Sequence, residues 1–589
     1  MIRDHFRVMV ADLRSGKGSV VKLDGRDEVA GGSGLAALLF DKYAHKDRPW
    51  NDPDQPLIFA IGPLTGYFPL MSKTVCAFKS PYHDQYAESH AGGRSALAMR
   101  FADLDGLVIV GKAPRPSVLH VGLRGLELRD AHYLWGQGVM TSGKHLRHMF
   151  PASGFRTIMR IGPAGEQGSA MACINVDTYR HFGRLGGGGV MGDKGLKAII
   201  IQGEGSFEFM PSGCEIGIGK EYPKLFKEIY RQLTSTQMMR KYHDLGTAGN
   251  AIPLNELKSM PWRNLQQTSD PEIGKVSGET FAERTLLRNA ACAGCPVGCV
   301  HIGYVREKIM EDNRFVYKQV SYDHEPNFAA GTMLGVTDPF GVLKILDAIE
   351  REGLDAISGG VCIAWATEAM AKGLITEEDT LVPLAFGDVA AYEKAVHHLG
   401  RGHTEFYRTL LAGGSRGAAE RYGGWDFACV LGQEMAGYAT GETFFVSQSL
   451  GLRHAHLDSG GYAYDQQDKG KDVDAAVNFL VEDESARCLM NSMVACLFSR
   501  GIYKGELIQE ALRVLGYAAL ADTTDAVAER VQSLRWKMRM DTGYDPEGIK
   551  IPKRFTEITT WKGPLDAEYM ETLRTAYAAR IRSLAARTI

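Results

Sequence analysis

Long apolar runs are missing from this sequence: charges interrupt every hydrophobic stretch well before the roughly 18 residues a membrane-spanning helix needs. The amino terminus, MIRDHFRVMV, lacks the extended apolar segment of a secretory signal, so a cytoplasmic location is expected. An excess of one charge is missing too. Sixty-seven Lys and Arg against 70 Asp and Glu leave a formal charge of −3, and without a basic excess nucleic acid is excluded as a primary partner. Cysteine is scarce: 10 in 589 residues cannot form a disulfide scaffold. No repeat at solenoid periods and no low-complexity segment is present. Apolar residues at 44% and charged residues at 23% match a soluble globular protein rather than a disordered or fibrous one.

Glycine is abundant, 68 of 589 or about 11–12%, where roughly 7% is usual. Many turns, or close approaches of backbone to a ligand, are implied. At about 100–200 residues per domain the length predicts three or four packed units.

The first 200 residues read as strands and turns. FRVMVADL, PLIFAIG, GLVIVGK, RTIMRIG and LKAIIIQG are short β-rich runs bounded by Gly, Pro or charge. After about Gly205 the texture becomes helical, with Leu225, Ile229 and Leu233 spaced by four in EYPKLFKEIYRQL. A helix pair broken at Gly353 is expected over 339–352 and 355–372, with further helices from Val473 to Arg500 and Asp566 to Arg587. The fold class is therefore α+β: a β-rich domain over 1–208, then two mainly helical domains over 209–415 and 416–589.

Three cysteines crowd together as Cys292-x2-Cys295-x3-Cys299, with Pro296 after the second. Close thiolates on one tight loop plus a distant fourth are a common way to hold a cubane iron–sulfur cluster. Cys496 is the candidate fourth ligand and Cys488 its rival. A structural zinc site and three buried free thiols are the alternatives. Zinc sites more often use paired C-x2-C units, and no second pair is present.

RLGGGGVMGDKGLKAIII contains Gly187-x-Gly189-x-x-Gly192, but it precedes a strand-like run instead of following one, so a dinucleotide-binding unit fails its context test. It is no Walker A loop, because Asp193 stands where Lys is required. Two readings remain: a backbone flanked by Arg184, Lys194 and Lys197 that cradles phosphate, or a glycine-rich structural turn.

The ordered set IGPLTGYFP, ESHAGG, LDGLVIVGKAPRP, IGPAGE, GRLGGGGVMGDKGLKAI, CAGCPVGC and GLDAISGG resembles the tungsten-containing aldehyde ferredoxin oxidoreductases, from Gly62 to about Arg500. The resemblance implies a β domain cupping two pyranopterins that hold tungsten, less often molybdenum. It implies a magnesium ion bridging the pterin phosphates and a [4Fe–4S] cluster on Cys292, Cys295, Cys299 and Cys496. Two pterin loops of the form D-x-x-G-L-D/C are expected, here Glu350-Arg-Glu-Gly353-Leu-Asp355 and Asn491-Ser-Met-Val494-Ala495-Cys496, which depart from that form at 350, 491 and 494. On the β domain the resemblance places Lys73, His90, Gly92, Gly93, Arg184 and Leu185 against the pterins or their phosphates. Lysine at 73 and histidine at 90 replace the family's arginine and asparagine.

For catalysis the resemblance points to Glu325, six residues before Gly331, and to His454 in Leu450-Gly-Leu-Arg-His. Oxidising an aldehyde to an acid needs an oxygen nucleophile, a proton acceptor, a donor to the carbonyl and a two-electron sink. Glu325 is assigned as the base and His454 as the donor. Asp323, His324, Arg453, His456 and Asp458 adjoin them, either as supporting residues or as extra proton donors for a different reaction. Cys362 is either a tungsten ligand or a buried structural thiol.

The expected partners are a small aldehyde or acid and a ferredoxin or ferredoxin-like subunit, because one cluster must pass its electrons on. A homodimer is a family expectation. An iron site at a dimer interface is not expected, since Lys344 stands at its glutamate position. Alternatives are an aromatic acyl-CoA reductase-type tungsten subunit, a non-catalytic iron–sulfur electron-transfer subunit and, for want of a Rossmann unit the weakest, an NAD-linked dehydrogenase.

Overall fold

The computed structural model describes residues 3–122, 125–151, 156–204, 221–308, 314–467 and 469–587. The domain boundary expected near 208 lies outside the described residues.

All five expected amino-terminal strands form. They belong to two six-stranded mixed sheets. The first contains β1 (Phe6–Asp12), β2 (Lys17–Leu23), β3 (Leu57–Ala60), β4 (Thr74–Lys79), β5 (Tyr86–Ala91) and β6 (Gly106–Val110), in the order β2-β1-β6-β3-β4-β5. The second contains β7 (Ser117–Gly122), β8 (Gly125–Asp130), β9 (Arg156–Arg160), β10 (Ile174–Val176), β11 (Arg180–Phe182) and β12 (Leu196–Gln202), in the order β11-β10-β9-β12-β7-β8. The pairs β1–β6 and β12–β7 are parallel and the rest antiparallel. Met9, Phe59 and Ile109 of the first sheet share a buried core with Met159, Phe182 and Ile199 of the second. On the other face of the first sheet, Phe6, Val8, Ile58 and Val108 pack with the helix Gly32–Tyr43. Burial on both faces explains why β3 and β6 read as continuous apolar runs.

The glycine-rich segment forms a short helix, Gly187–Asp193, pressed onto the turn Pro163–Glu166. A Cβ at Gly192 would lie 1.8 Å from the Gly165 carbonyl oxygen. Lys194 Nζ donates to the carbonyls of Pro53 and Gly111, and buried Lys197 pairs with Glu166. The phosphate-cradle reading of Lys194 and Lys197 is therefore corrected: both ammonium groups are consumed inside the domain, and the glycines serve close packing.

Downstream, the helix Tyr222–Ser235 buries Leu225, Ile229 and Leu233 as their spacing predicts, each contributing about 1.5–3 kcal/mol of burial. The broken pair appears as Pro339–Glu352 and Ala356–Ala371. Two expectations need correction. The middle region also carries a three-stranded antiparallel sheet, β13 (Leu286–Ala290), β14 (Val300–Lys308) and β15 (Phe315–Tyr322), with the cysteine loop joining β13 to β14. The late helix runs Val473–Ser492 and stops there, because Val494 takes a left-handed conformation with φ 55°.

Candidate active site

The four cysteines are gathered by one short segment of the β domain. Ala293 N–H donates to the Gly93 carbonyl, Leu70 N–H to Gly294, Lys73 N–H to Val494, and Cys496 N–H to Leu70. Residues 70–73 thus tie the cysteine loop to Cys496, and all four thiols line one cavity of about 390 Å³. A side chain at Gly92 would meet Cys292 Sγ at 2.5 Å. Cys488 lies elsewhere, fully buried, its sulfur receiving Arg535 Nη1 at 3.3 Å. Among the described residues no three His, Cys, Asp or Glu side chains converge on a point where a single ion fits.

Burial pushes the Cys295 thiol up to about 11 and raises Cys299 further. Two cations oppose that cost. Burial works against the charge of Lys73, yet Cys496 and Cys292 raise its pKa above the ordinary value. Burial likewise opposes Arg180, which Asp323, 3.4 Å away, and Cys292 keep firmly protonated.

The walls of the same cavity bring together Lys73, His90, Arg184, Leu185, Glu350, Asp355, Asn491 and Ala495. Gly93 and Gly353 do not line it; they hold neighbouring backbone, Gly93 through Ala293 and Gly353 through the Cys173 N–H, 3.0 Å from its carbonyl oxygen. Arg184 donates from Nε to Asp355 Oδ2 at 3.2 Å and from Nη2 to the Glu434 carbonyl at 2.7 Å, while its Nη1 is buried without a partner. Asp355 also caps the helix Ala356–Ala371 through the N–H groups of Ile357 and Ser358. Glu350 accepts from His181 Nε2 at 2.8 Å and Asn175 Nδ2 at 2.7 Å. Burial, then Arg453, hold His90 down to about 4 against the pull of Glu88. The neutral ring donates from Nε2 to Glu88 Oε2 at 2.9 Å, which leaves Nδ1 as an acceptor.

Glu325 stands on this cavity at the start of the helix His324–Ala330. Its Oε1 accepts from Tyr438 Oη at 2.8 Å and lies 3.1 Å from His456 Nε2. Burial favours the neutral acid, but His456 and Tyr438 more than offset it and lower the carboxyl to about 2. His456 lines the cavity, and its Nδ1 is buried without a partner.

His454, expected as the carbonyl donor, does not line the cavity. Asp458 binds the N–H groups of Arg453 and Ala455, and Gln433 Nε2 donates to the carbonyls of Arg453 and His454. This turn, with His454 at φ 50°, directs the two histidines to different sides. His454 Nδ1–H donates to the Ser449 carbonyl at 2.7 Å, and Nε2 accepts from Arg539 Nη2 at 3.0 Å. Burial and Arg539 push its pKa well down, so the ring is neutral with both nitrogens engaged. Cys362 also lies off the cavity, 3.2 Å from Ser415 Oγ and fully buried, as the structural-thiol alternative has it.

Sequence reasoning missed Tyr438, Arg180 and Gln433. Arg180 lies four residues before Arg184, a spacing that marks it as a second cation for the same wall; Tyr438 and Gln433 carry no local signal.

A family model for the aldehyde ferredoxin oxidoreductase N-terminal domain matches residues 8–203, and the model for domains 2 and 3 of the same enzymes matches 224–580. The chain belongs to the aldehyde ferredoxin oxidoreductase family. The tungsten-containing aldehyde ferredoxin oxidoreductase of Pyrococcus abyssi is 28% identical over 534 residues, covering 87% of this chain and 84% of that protein. The WOR-like subunit of an aliphatic sulfonate oxidoreductase from Pyrococcus furiosus is 30% identical over 384 residues, 62% of this chain and 59% of that one. The active-site complex BamBC of benzoyl-coenzyme A reductase, solved with 1,5-dienoyl-CoA, shares the fold, with a TM-score of 0.78 at 18% identity over 98% of this chain and 95% of that one. This member is an oxidoreductase of the family's three-part architecture, β-rich first and mainly helical after. Among the described residues no helix is long and apolar enough to cross a membrane.

Proposed function

We propose that this family member oxidises small aldehydes to carboxylic acids, or runs the reverse reaction, in a reducing cytoplasm. The balance is RCHO + H2O → RCOOH + 2H⁺ + 2e⁻. The observation that carries the reading is one cavity with two chemistries on its wall: the Glu325–His456 pair, backed by Tyr438, and the four-thiol group.

The residues fit the cofactors the family uses. Arg184 Nη1 and Arg180 Nε are buried donors without partners on the wall, and Lys73 adds a third cation, a set suited to pterin phosphates with magnesium. The loops at Glu350–Asp355 and Asn491–Ala495 would hold one pterin each. Cys292, Cys295, Cys299 and Cys496 would hold a [4Fe–4S] cluster. Tungsten, or molybdenum, in a bis-pyranopterin supplies the two-electron sink.

The chain's own groups divide the proton work. A carboxylate lowered to about 2 is a weak base, so Glu325 stays ionised and fixes the His456 ring through Nε2. His456 Nδ1, buried and without a partner, is then the ring nitrogen left to take up a proton. Tyr438 completes the carboxylate's hydrogen bonds and keeps it from turning away.

The test is anaerobic purification, analysis for W, Mo, Fe and Zn per chain, and aldehyde-dependent reduction of a viologen dye. About one tungsten or molybdenum and about four irons with dye reduction are expected. Zinc alone would sink the redox assignment. Both metals with turnover of aromatic acyl thioesters but not aldehydes would transfer the site to acyl-CoA chemistry.

A further inference from the structure

Gly92 brings a thiol and two cationic side chains together. A Cβ built there would lie 2.5 Å from Cys292 Sγ, 3.4 Å from Lys73 Nζ and 3.7 Å from Arg180 Cδ. Without a side chain of its own, the residue lets all three approach one Cα. Arg180 opens β11, and its stem also passes Gly93, where a Cβ would stand 3.6 Å from Arg180 Cβ. The far end of the guanidinium meets Asp323 Oδ2 from Nη1 at 3.4 Å. Asp323 Oδ1 in turn accepts from Thr247 Oγ1 at 3.4 Å, and that hydroxyl oxygen receives the His324 N–H at 2.9 Å. Thr247 thus ties the carboxylate to the start of the helix that carries Glu325. Arg180, Asp323 and Thr247 line the same cavity as the thiols. Arg180 Nε is among the donors free for phosphate, but the charge of the same side chain lies beside sulfur.

A cluster on four thiolates gains one negative charge with each electron it takes up. A cation fixed nearby stabilises the reduced state more than the oxidised one and raises the reduction potential, and a carboxylate does the opposite. Arginine suits such a task because it does not deprotonate. At Cys299, burial and then Cys496 oppose the thiolate, Arg180 favours it, and Asp323 opposes it by less than Arg180 favours it. On the thiol side the guanidinium therefore outweighs its own counter-ion.

We propose that Arg180, anchored by Asp323, sets the reduction potential of the iron–sulfur cluster, holding it high enough to accept electrons from aldehyde oxidation. The proposal deepens the reading above and rests on its assignment of the four thiols to a [4Fe–4S] cluster. The two electrons released per aldehyde pass one at a time: the cluster is reduced by one, its donor oxidised by one, and no bond is made or broken. Arg180 acts through the cluster rather than on substrate.

The experiment uses the anaerobic full-length protein and the variants Arg180→Met, Arg180→Lys and Asp323→Asn. Iron and tungsten are counted per chain, and the cluster is titrated with dithionite and mediator dyes while the electron paramagnetic resonance of its reduced form is followed. Arg180→Met should lower the one-electron reduction equilibrium constant by about tenfold or more, a fall in midpoint potential of about 59 mV or more. Arg180→Lys, which keeps the charge, should stay within about threefold of wild type. Asp323→Asn should move the potential the opposite way and by less, a reversal of sign that a merely structural role would not produce. An unchanged potential in Arg180→Met at about four irons, equal shifts in the Met and Lys variants, or a fall in Asp323→Asn would overturn the proposal. So would loss of tungsten from Arg180→Met with the potential unmoved, which would leave Arg180 a phosphate ligand only. Should Arg180→Met fail to hold iron, Asp323→Asn decides: a rise supports the proposal and no rise overturns it. Wild-type protein with about four irons but no aldehyde turnover would count against the aldehyde reading alone, because the titration needs no substrate. Wild-type protein without iron would overturn the cluster assignment and this proposal with it.

Discussion

Residues 350–355 and 491–496 follow the same backbone course with different side chains. Each ends a long helix. In each the fourth residue is left-handed, Gly353 at φ 73° and Val494 at φ 55°, and the fifth donates its N–H five residues back, Leu354 to Ile349 and Ala495 to Met490. In each the sixth N–H is taken by the β domain, Asp355 by Met171 and Cys496 by Leu70. The side chains then diverge: Asp355 caps a helix and holds Arg184, while Cys496 joins the thiol group. A β-branched residue in the left-handed region costs of order 1–3 kcal/mol, which burial of Val494 offsets by about as much. The turn, rather than the glycine, is what the two halves of the site share.

The largest break in this pairing should come at the sixth position. Cys496→Ser is expected to reduce iron from about four atoms per chain to near none, whereas Cys488→Ser should leave iron unchanged; metal analysis and visible absorption read both. On the other side, Asp355→Ala removes a helix cap and leaves a buried arginine without its carboxylate, a loss of about 3–5 kcal/mol. Its denaturant midpoint should lie well below that of Asp355→Asn, which keeps the cap. Gly353→Ala should cost about 2–4 kcal/mol, since a Cβ there is both left-handed and 2.6 Å from the Gly162 nitrogen. Val494→Gly should shift stability by only about 1 kcal/mol, because relief of strain and loss of burial nearly cancel. A large destabilisation in that variant would show that the side chain, not the turn, holds the second loop.

Much of this architecture is legible in the residues. Doubly buried strands such as β3 and β6 announce themselves as apolar runs, and Gly353 marks a helix break because it supplies the left-handed turn. The strands β2, β8 and β14 carry charges on an exposed face or end, and their alternation is lost among turns. Val494 hides the second break for the opposite reason: a valine gives no sign of a left-handed turn. The choice between His454 and His456 is invisible locally, since Asp458 and Gln433 decide it by pinning the turn between them. Tyr438 reaches Glu325 across 113 residues, a contact only the assembled fold creates.

The most direct test of the account compares His456→Asn with His454→Asn in viologen-linked aldehyde oxidation, each rate normalised to bound metal. Loss of the cavity-facing imidazole should lower kcat/KM by about 10²–10⁴, while the His454 variant, whose ring is engaged away from the cavity, should keep a rate within a few-fold of wild type. The reverse order, with His454→Asn inactive and His456→Asn active at equal metal content, would contradict the assignment of Glu325 and His456 as the proton-handling pair.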